Sequence, residues 1–295
     1  MRRRAVMAAW VLSTGLALAQ GAGCNRLNLR HRDEPRPIPP EQLERLQQIS
    51  ERAQAAIDRG DYEHAKADLV RLVGEEPDSP DALQRLGTVM MLEGRLPEAE
   101  GYFHAALARD PDYVDAMLGL GQIEARRGDA VTALKRFEMA ISLDPRRPKA
   151  HYLLGGAREA VGQAEEALAS YFRALEYDPN DVQAISRIAA IQLARNQPDQ
   201  ALARLDQAVE LAPADGEARA LRGIAHSKLH HIPDAVADLR AAAQRLPNRP
   251  DIYYHLALVL EADHKPADAR SAADQALRLA PADTAVRQLT ERLRR

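Results

Sequence analysis

Cysteine, aromatic residues and net charge are all scarce in this chain of 295 residues. A single cysteine rules out an intramolecular disulfide framework. Aromatic residues make up 4% of the sequence and β-branched runs are few, while alanine occurs 55 times. That balance favours closely packed helices and argues against a β-rich architecture. Forty Lys and Arg nearly cancel 43 Asp and Glu, leaving −3, so no overall attraction to nucleic acid or anionic lipid is implied. With 46% apolar and 28% charged residues, the composition is that of a folded, water-soluble body.

The amino terminus reads as an address. Arg2, Arg3 and Arg4 precede a run of apolar or small residues from Ala5 to Ala19, too short to span a membrane and without a charged stop-transfer flank. Residues 1–23 are therefore expected to be a signal peptide. Two cleavage positions compete: Ala17-Leu18-Ala19 fits the small-x-small rule of an ordinary signal peptidase, with a cut near 19. Gly21-Ala22-Gly23-Cys24 resembles a bacterial lipobox, with Gly21 where that pattern usually carries Leu, and the resemblance implies lipidation of Cys24. Residues 24–40 hold four prolines, mixed charge and no helical period, the composition of a semi-extended tether. Export across a bacterial inner membrane and anchorage in the envelope facing the periplasm are the expected localisation. A soluble periplasmic or secreted form is the alternative.

From Glu41 onward a period of 34 dominates. Pro77, Pro111, Pro145, Pro179, Pro213, Pro247 and Pro281 share it, as do Ala65, Ala99, Ala133, Ala167, Ala201, Ala235 and Ala269, each twelve residues before its proline. A bulky apolar residue follows four places after the alanine: Leu69, Phe103, Phe137, Tyr171, Leu205 and Leu239, with Ala273 in the last copy. Within each unit a small residue recurs earlier, at Gly87, Gly121, Gly155, Ala189, Gly223 and Ala257. Two helices pressed together need such a gap opposite a large side chain. Gly60, Gly94, Gly128 and Gly162 are placed to end a helix in the left-handed region, with Asn196, His230 and His264 at the same position in later copies.

This pattern resembles the tetratricopeptide repeat, whose first helix carries a Leu-Gly pair and whose second carries Ala-x3-Phe-x2-Ala before a closing proline. Leu86-Gly87, Leu120-Gly121 and Leu154-Gly155 match the pair, while the family's Trp and Tyr positions are degenerate. The resemblance implies an all-α fold: a right-handed superhelical solenoid of seven tandem helix-turn-helix repeats within 41–283. The repeats are placed at 46–79, 80–113, 114–147, 148–181, 182–215, 216–249 and 250–283. Residues 284–295 form a capping helix, with Val286, Leu289 and Leu293 on one face.

In arrays of this family the first helices line the concave face at the second, fifth, ninth and twelfth positions of each repeat. By position, that gives Met91, Leu118, Gln122, Tyr152, Leu193, Ile224, Tyr254 and Leu258 as candidate partner-binding residues; the apolar ones are not required by the repeat pattern. Apolar anchors flanked by Gln and carboxylates suit an extended peptide or an amphipathic helix. The family's carboxylate clamp, a Lys and Asn pair at the fifth and ninth positions, is absent: those positions hold Ser50 and Gln54, Gln84 and Thr88, Leu118 and Gln122.

Signals for chemistry are weak. His226 and His230 stand four apart with His231 adjacent and His264 one repeat on, but the Glu of a zinc-protease helix is missing and His226 falls on a core position. Gly119-Leu-Gly121 lies inside a helical pattern and follows no strand, so it is no dinucleotide loop. The reading is a non-enzymatic scaffold or adaptor with no metal, cofactor, nucleic acid or small-molecule substrate, binding a peptide or helix of an envelope protein. The alternative is a self-associating structural module of the envelope.

Overall fold

A computed structural model describes residues 39–294; the leader, Cys24 and all but the end of the tether lie outside the described residues. The chain divides into two units, 1–44 and 45–295, and the repeat array is the second. The first helices of the repeats are α1 (Pro40–Asp58), α3 (Pro80–Leu92), α5 (Val114–Arg126), α7 (Pro148–Ala160), α9 (Val182–Ala194), α11 (Gly216–Lys228) and α13 (Pro250–Ala262). The second helices are α2 (Tyr62–Glu75), α4 (Leu96–Arg109), α6 (Ala130–Leu143), α8 (Ala164–Tyr177), α10 (Pro198–Leu211), α12 (Ile232–Arg245) and α14 (Pro266–Leu279). Helix α15 (Thr284–Arg294) follows. No strand occurs among the described residues, and none of their helices is long and apolar enough to cross a membrane.

Turn chemistry sets the helix ends. Each first helix stops in a left-handed residue: Gly60, Gly94, Gly128 and Gly162 have φ between 73° and 84°, and Asn196, His230 and His264 follow at 57°, 59° and 53°. The second helices then restart, two of them on a side-chain cap: Asp61 accepts from the His64 amide at 3.4 Å and Asp129 from the Thr132 amide at 3.0 Å. Pro198 and Pro266 open α10 and α14, where a missing amide proton loses nothing.

The periodic alanines fill the heart of each hairpin. All seven, Ala65 to Ala269, are fully buried, and so are Ala106, Ala140, Ala174, Ala208, Ala242 and Ala276 two turns on. Between them the bulky member of each second helix reaches back onto the first. A side chain added at Gly87 would place its Cβ 2.7 Å from Cε1 of Phe103; at Gly155 it would lie 2.6 Å from Cε1 of Tyr171, and at Gly223 2.7 Å from Cγ of Leu239. Gly121 bears the same relation to Phe137. Gly119, one repeat on from Phe103, is held against the same Phe103 ring, which explains a glycine pair inside α5. Each second helix also packs on the first helix of the next repeat, so one hairpin's exposed stripe becomes its neighbour's core.

His151 takes the family's aromatic first-helix position. It is buried and its Nε2 pairs with the Pro145 carbonyl oxygen at 2.9 Å. His226, expected in the core, is only half-buried: it faces His231 across the turn, Nδ1 to Nδ1 at 3.3 Å. At the carboxy end, α15 buries Val286, Leu289, Thr290 and Leu293, and Arg270 donates to the Leu293 carbonyl at 2.7 Å.

Two glycine substitutions separate packing from backbone freedom. Gly155→Leu drives a side chain into Tyr171 and is expected to destabilise the array by about 1–3 kcal/mol. Gly101→Ala, on an α4 site with nothing within 4 Å, is expected to stabilise it by about 0.5–1 kcal/mol. Urea denaturation followed by circular dichroism measures both, and equal losses would show that ring-against-glycine packing is not the constraint.

Candidate functional site between the first helices

Contact between successive first helices is uneven along the array, and least at α1–α3 and at α7–α9. A cavity of about 460 Å³ opens between α7 and α9, lined by Tyr152 and Gly156 of α7, Gln183, Ser186 and Arg187 of α9, Gln122 of α5 and Glu217 of α11. A second cavity of about 350 Å³ adjoins it, sharing Gln122, Tyr152, Leu153 and Gln183 and adding Lys149, Asp178 and Asp181. The two make one continuous groove along the first helices, centred on Tyr152.

A polar wedge stands between α7 and α9. The Tyr171 hydroxyl, at the end of a buried ring, donates to Oε2 of Glu159, and Arg187 of α9 donates to the same oxygen from Nη2 at 2.7 Å and from Nε at 3.1 Å. Burial and then the bond to Glu159 hold the Tyr171 phenol far above its ordinary pKa, so it stays a donor. Burial opposes the Arg187 charge, but Glu159 and Tyr171 outweigh it and the guanidinium stays protonated. The Tyr152 ring lies 5.7 Å from that of Tyr171, tilted by 47°. Its own pKa is raised, by burial first and then by Asp181, Glu217 and Glu159, against the opposing Arg187.

The structure divides the eight candidate residues. Met91, Leu118 and Leu193 are 5%, 0% and 6% exposed, so the expectation that the fold does not need them is corrected: stacking on neighbouring helices encloses them. Leu118 joins the cluster around Phe137 and Leu154, and Leu193 joins Ala201, Leu205 and Ala225. Gln122 and Tyr152 share the central groove. Ile224 is half-buried against the core. Tyr254 and Leu258 line a separate cavity of about 260 Å³ with Gln288 and Arg292 of α15. Arg187, Tyr171 and Arg126 were not among the candidates although they line the groove. Tyr171 carried the available signal, since a hydroxyl at the buried phenylalanine position of the repeat requires a partner.

Ser186 is 6% exposed and lines the central cavity, and its hydroxyl has no hydrogen-bond partner. As for metal chemistry, among the described residues no group of three or more His, Cys, Asp or Glu side chains is placed to hold an ion.

A solenoid of helical hairpins with a groove along its first helices defines a class of repeat protein, and comparison with known proteins names the family. Two family models, both described as tetratricopeptide repeat, match: one over 90–156 and 159–224, the other over 50–103, 132–182 and 220–284. The second covers more than half of the sequence, and the chain belongs to the tetratricopeptide repeat family, whose arrays are generally protein-interaction scaffolds. No curated protein matches its sequence.

Among solved structures, the APC/C hetero-tetramer Cut9-Hcn1 is similar with TM-score 0.74 and 18% identity over 82% of this chain and 48% of that one, so this chain spans about half of its length. PilF of Pseudomonas aeruginosa is similar with TM-score 0.65 and 18% identity over 74% of this chain and 99% of that one. YrrB, described as a tetratricopeptide repeat protein with an unusual peptide-binding site, is similar with TM-score 0.50 and 20% identity over 64% of this chain and 97% of that one. At these identities the likeness is one of fold.

The wedge makes a graded prediction. Glu159→Ala leaves the Tyr171 hydroxyl and the Arg187 guanidinium without their shared acceptor and is expected to cost about 1–3 kcal/mol. Tyr171→Phe removes one donor and leaves the Glu159–Arg187 pair, so its loss is expected to be smaller. Urea midpoints of the two variants check the order, and a reversed order would mean that the wedge is not what joins α7, α8 and α9.

Proposed function

We propose that this chain is a non-catalytic adaptor that holds a peptide or helix of an envelope protein in the groove centred on Tyr152, and that a lipid on Cys24 tethers it to the membrane facing the periplasm. The observation that carries the groove reading is the cavity between α7 and α9, where contact between the two first helices is slight. It presents an aromatic ring and two glutamine side chains along one surface, with the buried, unpartnered Ser186 hydroxyl in its wall. Peptide recognition needs this mixture: an amphipathic ring for contact area and amide groups that pair with an extended main chain. The peptide-binding site described for YrrB, a protein of similar fold, supports the same use of the scaffold. The tether reading rests on the sequence of residues 1–40 alone.

The test is capture from gently solubilised membranes with the native chain and with a Gln122→Ala, Tyr152→Ala, Gln183→Ala variant of unchanged helicity. A protein retained by the native chain and lost, roughly tenfold or more, with the variant is the expected result. Equal retention would remove the groove from consideration and turn attention to the other faces. For the tether, the native chain is expected to partition into the detergent phase of a Triton X-114 separation and Cys24→Ser into the aqueous phase.

One observation favours a second reading, self-association. Leu143, Tyr177 and Leu211 occupy the same repeat position at the ends of α6, α8 and α10, and all three are exposed. A row of apolar groups at constant spacing is a surface that a second copy would cover. Sedimentation velocity over a range of concentrations separates the readings, since only self-association gives a mass that rises without a partner.

A further inference from the structure

We propose that the cavity between α7 and α9 receives a positively charged side chain, arginine or lysine, of the bound segment, held over the Tyr152 ring by the carboxylate of Glu217. This rests on the groove reading above and adds the chemistry of its occupant.

Charge at the cavity wall points that way. Of the cations that line the groove, Arg187 is engaged by Glu159 at 2.7 Å, and Arg126 donates to the Met91 carbonyl at 2.9 Å. Lys149 lies at the edge, in the adjoining cavity. On the other side stand Asp178, Asp181, Asp215 and Glu217. Asp181 and Asp215 cap α9 and α11 by accepting main-chain amides at 3.0 Å and 2.8 Å, and Asp178 accepts the Asn180 amide at 3.1 Å. Glu217, in the first turn of α11, is different. It is exposed and makes no ion pair or side-chain hydrogen bond among the described residues. In the central cavity an anionic ligand would have to displace Glu159 from Arg187, the exposed Lys149 lying in the adjoining one, whereas a cation there meets Glu217, which no ion pair or hydrogen bond holds among the described residues.

Three further observations agree. An aromatic ring lines both cavities, and a guanidinium or ammonium is attracted to the face of such a ring. The buried Ser186 hydroxyl in the cavity wall lacks a partner, and a guanidinium or ammonium N–H is a donor it can accept. Gly156, exposed beside Tyr152, leaves room for the long stem of such a side chain: a Cβ there would meet only the Tyr171 hydroxyl, at 3.8 Å.

The test uses the full chain and three dye-labelled, terminally blocked peptides of equal length, identical except for a central arginine, norleucine or glutamate, read by fluorescence anisotropy. The arginine peptide is expected to bind most tightly. Glu217→Gln and Tyr152→Leu are each expected to weaken it about three- to fivefold, and Glu217→Gln to leave the norleucine peptide unchanged. Glu217→Lys, a gain that misfolding cannot mimic, is expected to turn the preference toward the glutamate peptide. If the norleucine or glutamate peptide binds the native chain at least as tightly as the arginine peptide and Tyr152→Leu abolishes that binding, the groove stands and the cation inference falls. If the arginine peptide binds but neither position affects it, the assignment to this cavity falls. If no peptide binds at millimolar concentration, both the inference and the groove reading fall.

Discussion

Close contact between a ring on one helix and the absence of a side chain on its partner is the constraint from which the rest of the array follows. Phe103 on Gly87, Phe137 on Gly121, Tyr171 on Gly155 and Leu239 on Gly223 repeat one complementary pair of volumes. Where the small member grows to alanine, at Ala189 and Ala257, the large member is Leu205 or shrinks to Ala273. The sum is kept within what the hairpin can hold, as close packing requires. Once that distance is set, the second helix presents its outer stripe to the next first helix, and a row of hairpins becomes a solenoid.

A single oxygen atom turns this packing device into a site. Phe103 and Phe137 end in carbon, but the equivalent Tyr171 carries a hydroxyl into the same buried place. A buried hydroxyl is costly to leave unpaired. It pairs with Glu159, whose remaining charge draws Arg187 from the following repeat. Three polar side chains from three consecutive helices thus occupy the space where two first helices would otherwise close on each other. The central cavity lies where the core motif departs from pure hydrocarbon.

The fold was legible because each stacking residue repeats at a spacing of 34, and repetition averages out the weakness of any one signal. Left-handed helix ends at Gly60 to Gly162, and at Asn196, His230 and His264, were readable for the same reason. The site was legible only in part. Gln122 and Tyr152 line the groove, whereas Met91, Leu118 and Leu193 are enclosed by stacking. A single helix has one buried stripe, whereas a first helix inside the array touches its own second helix, the previous second helix and often another first helix. The face it has left is narrower than its periodicity indicates. The wedge was invisible for another reason: Glu159, Tyr171 and Arg187 are twelve and sixteen residues apart in sequence, and no periodic pattern links them.

Separation of faces is what lets such an array change partners without losing its fold. Residues that stack, such as Ala133, Phe137 and Ala140, point into the hairpin, while Gln122, Gln183 and Glu217 meet the groove and carry no stacking. Substitutions on one set should therefore be close to independent of those on the other. Phe137 also lines the central cavity, but Tyr171 is the sharper exception. Its ring is part of the stack on Gly155, and its hydroxyl holds the wedge that shapes the groove. Stability and the shape of the proposed binding groove are coupled through that one side chain, and through Glu159 and Arg187 bound to it. In a structure where each repeat touches only its neighbours, such coupling stays local: a change at Tyr171 alters the groove between α7 and α9 and leaves the terminal cavity at Tyr254 and Leu258 as it was.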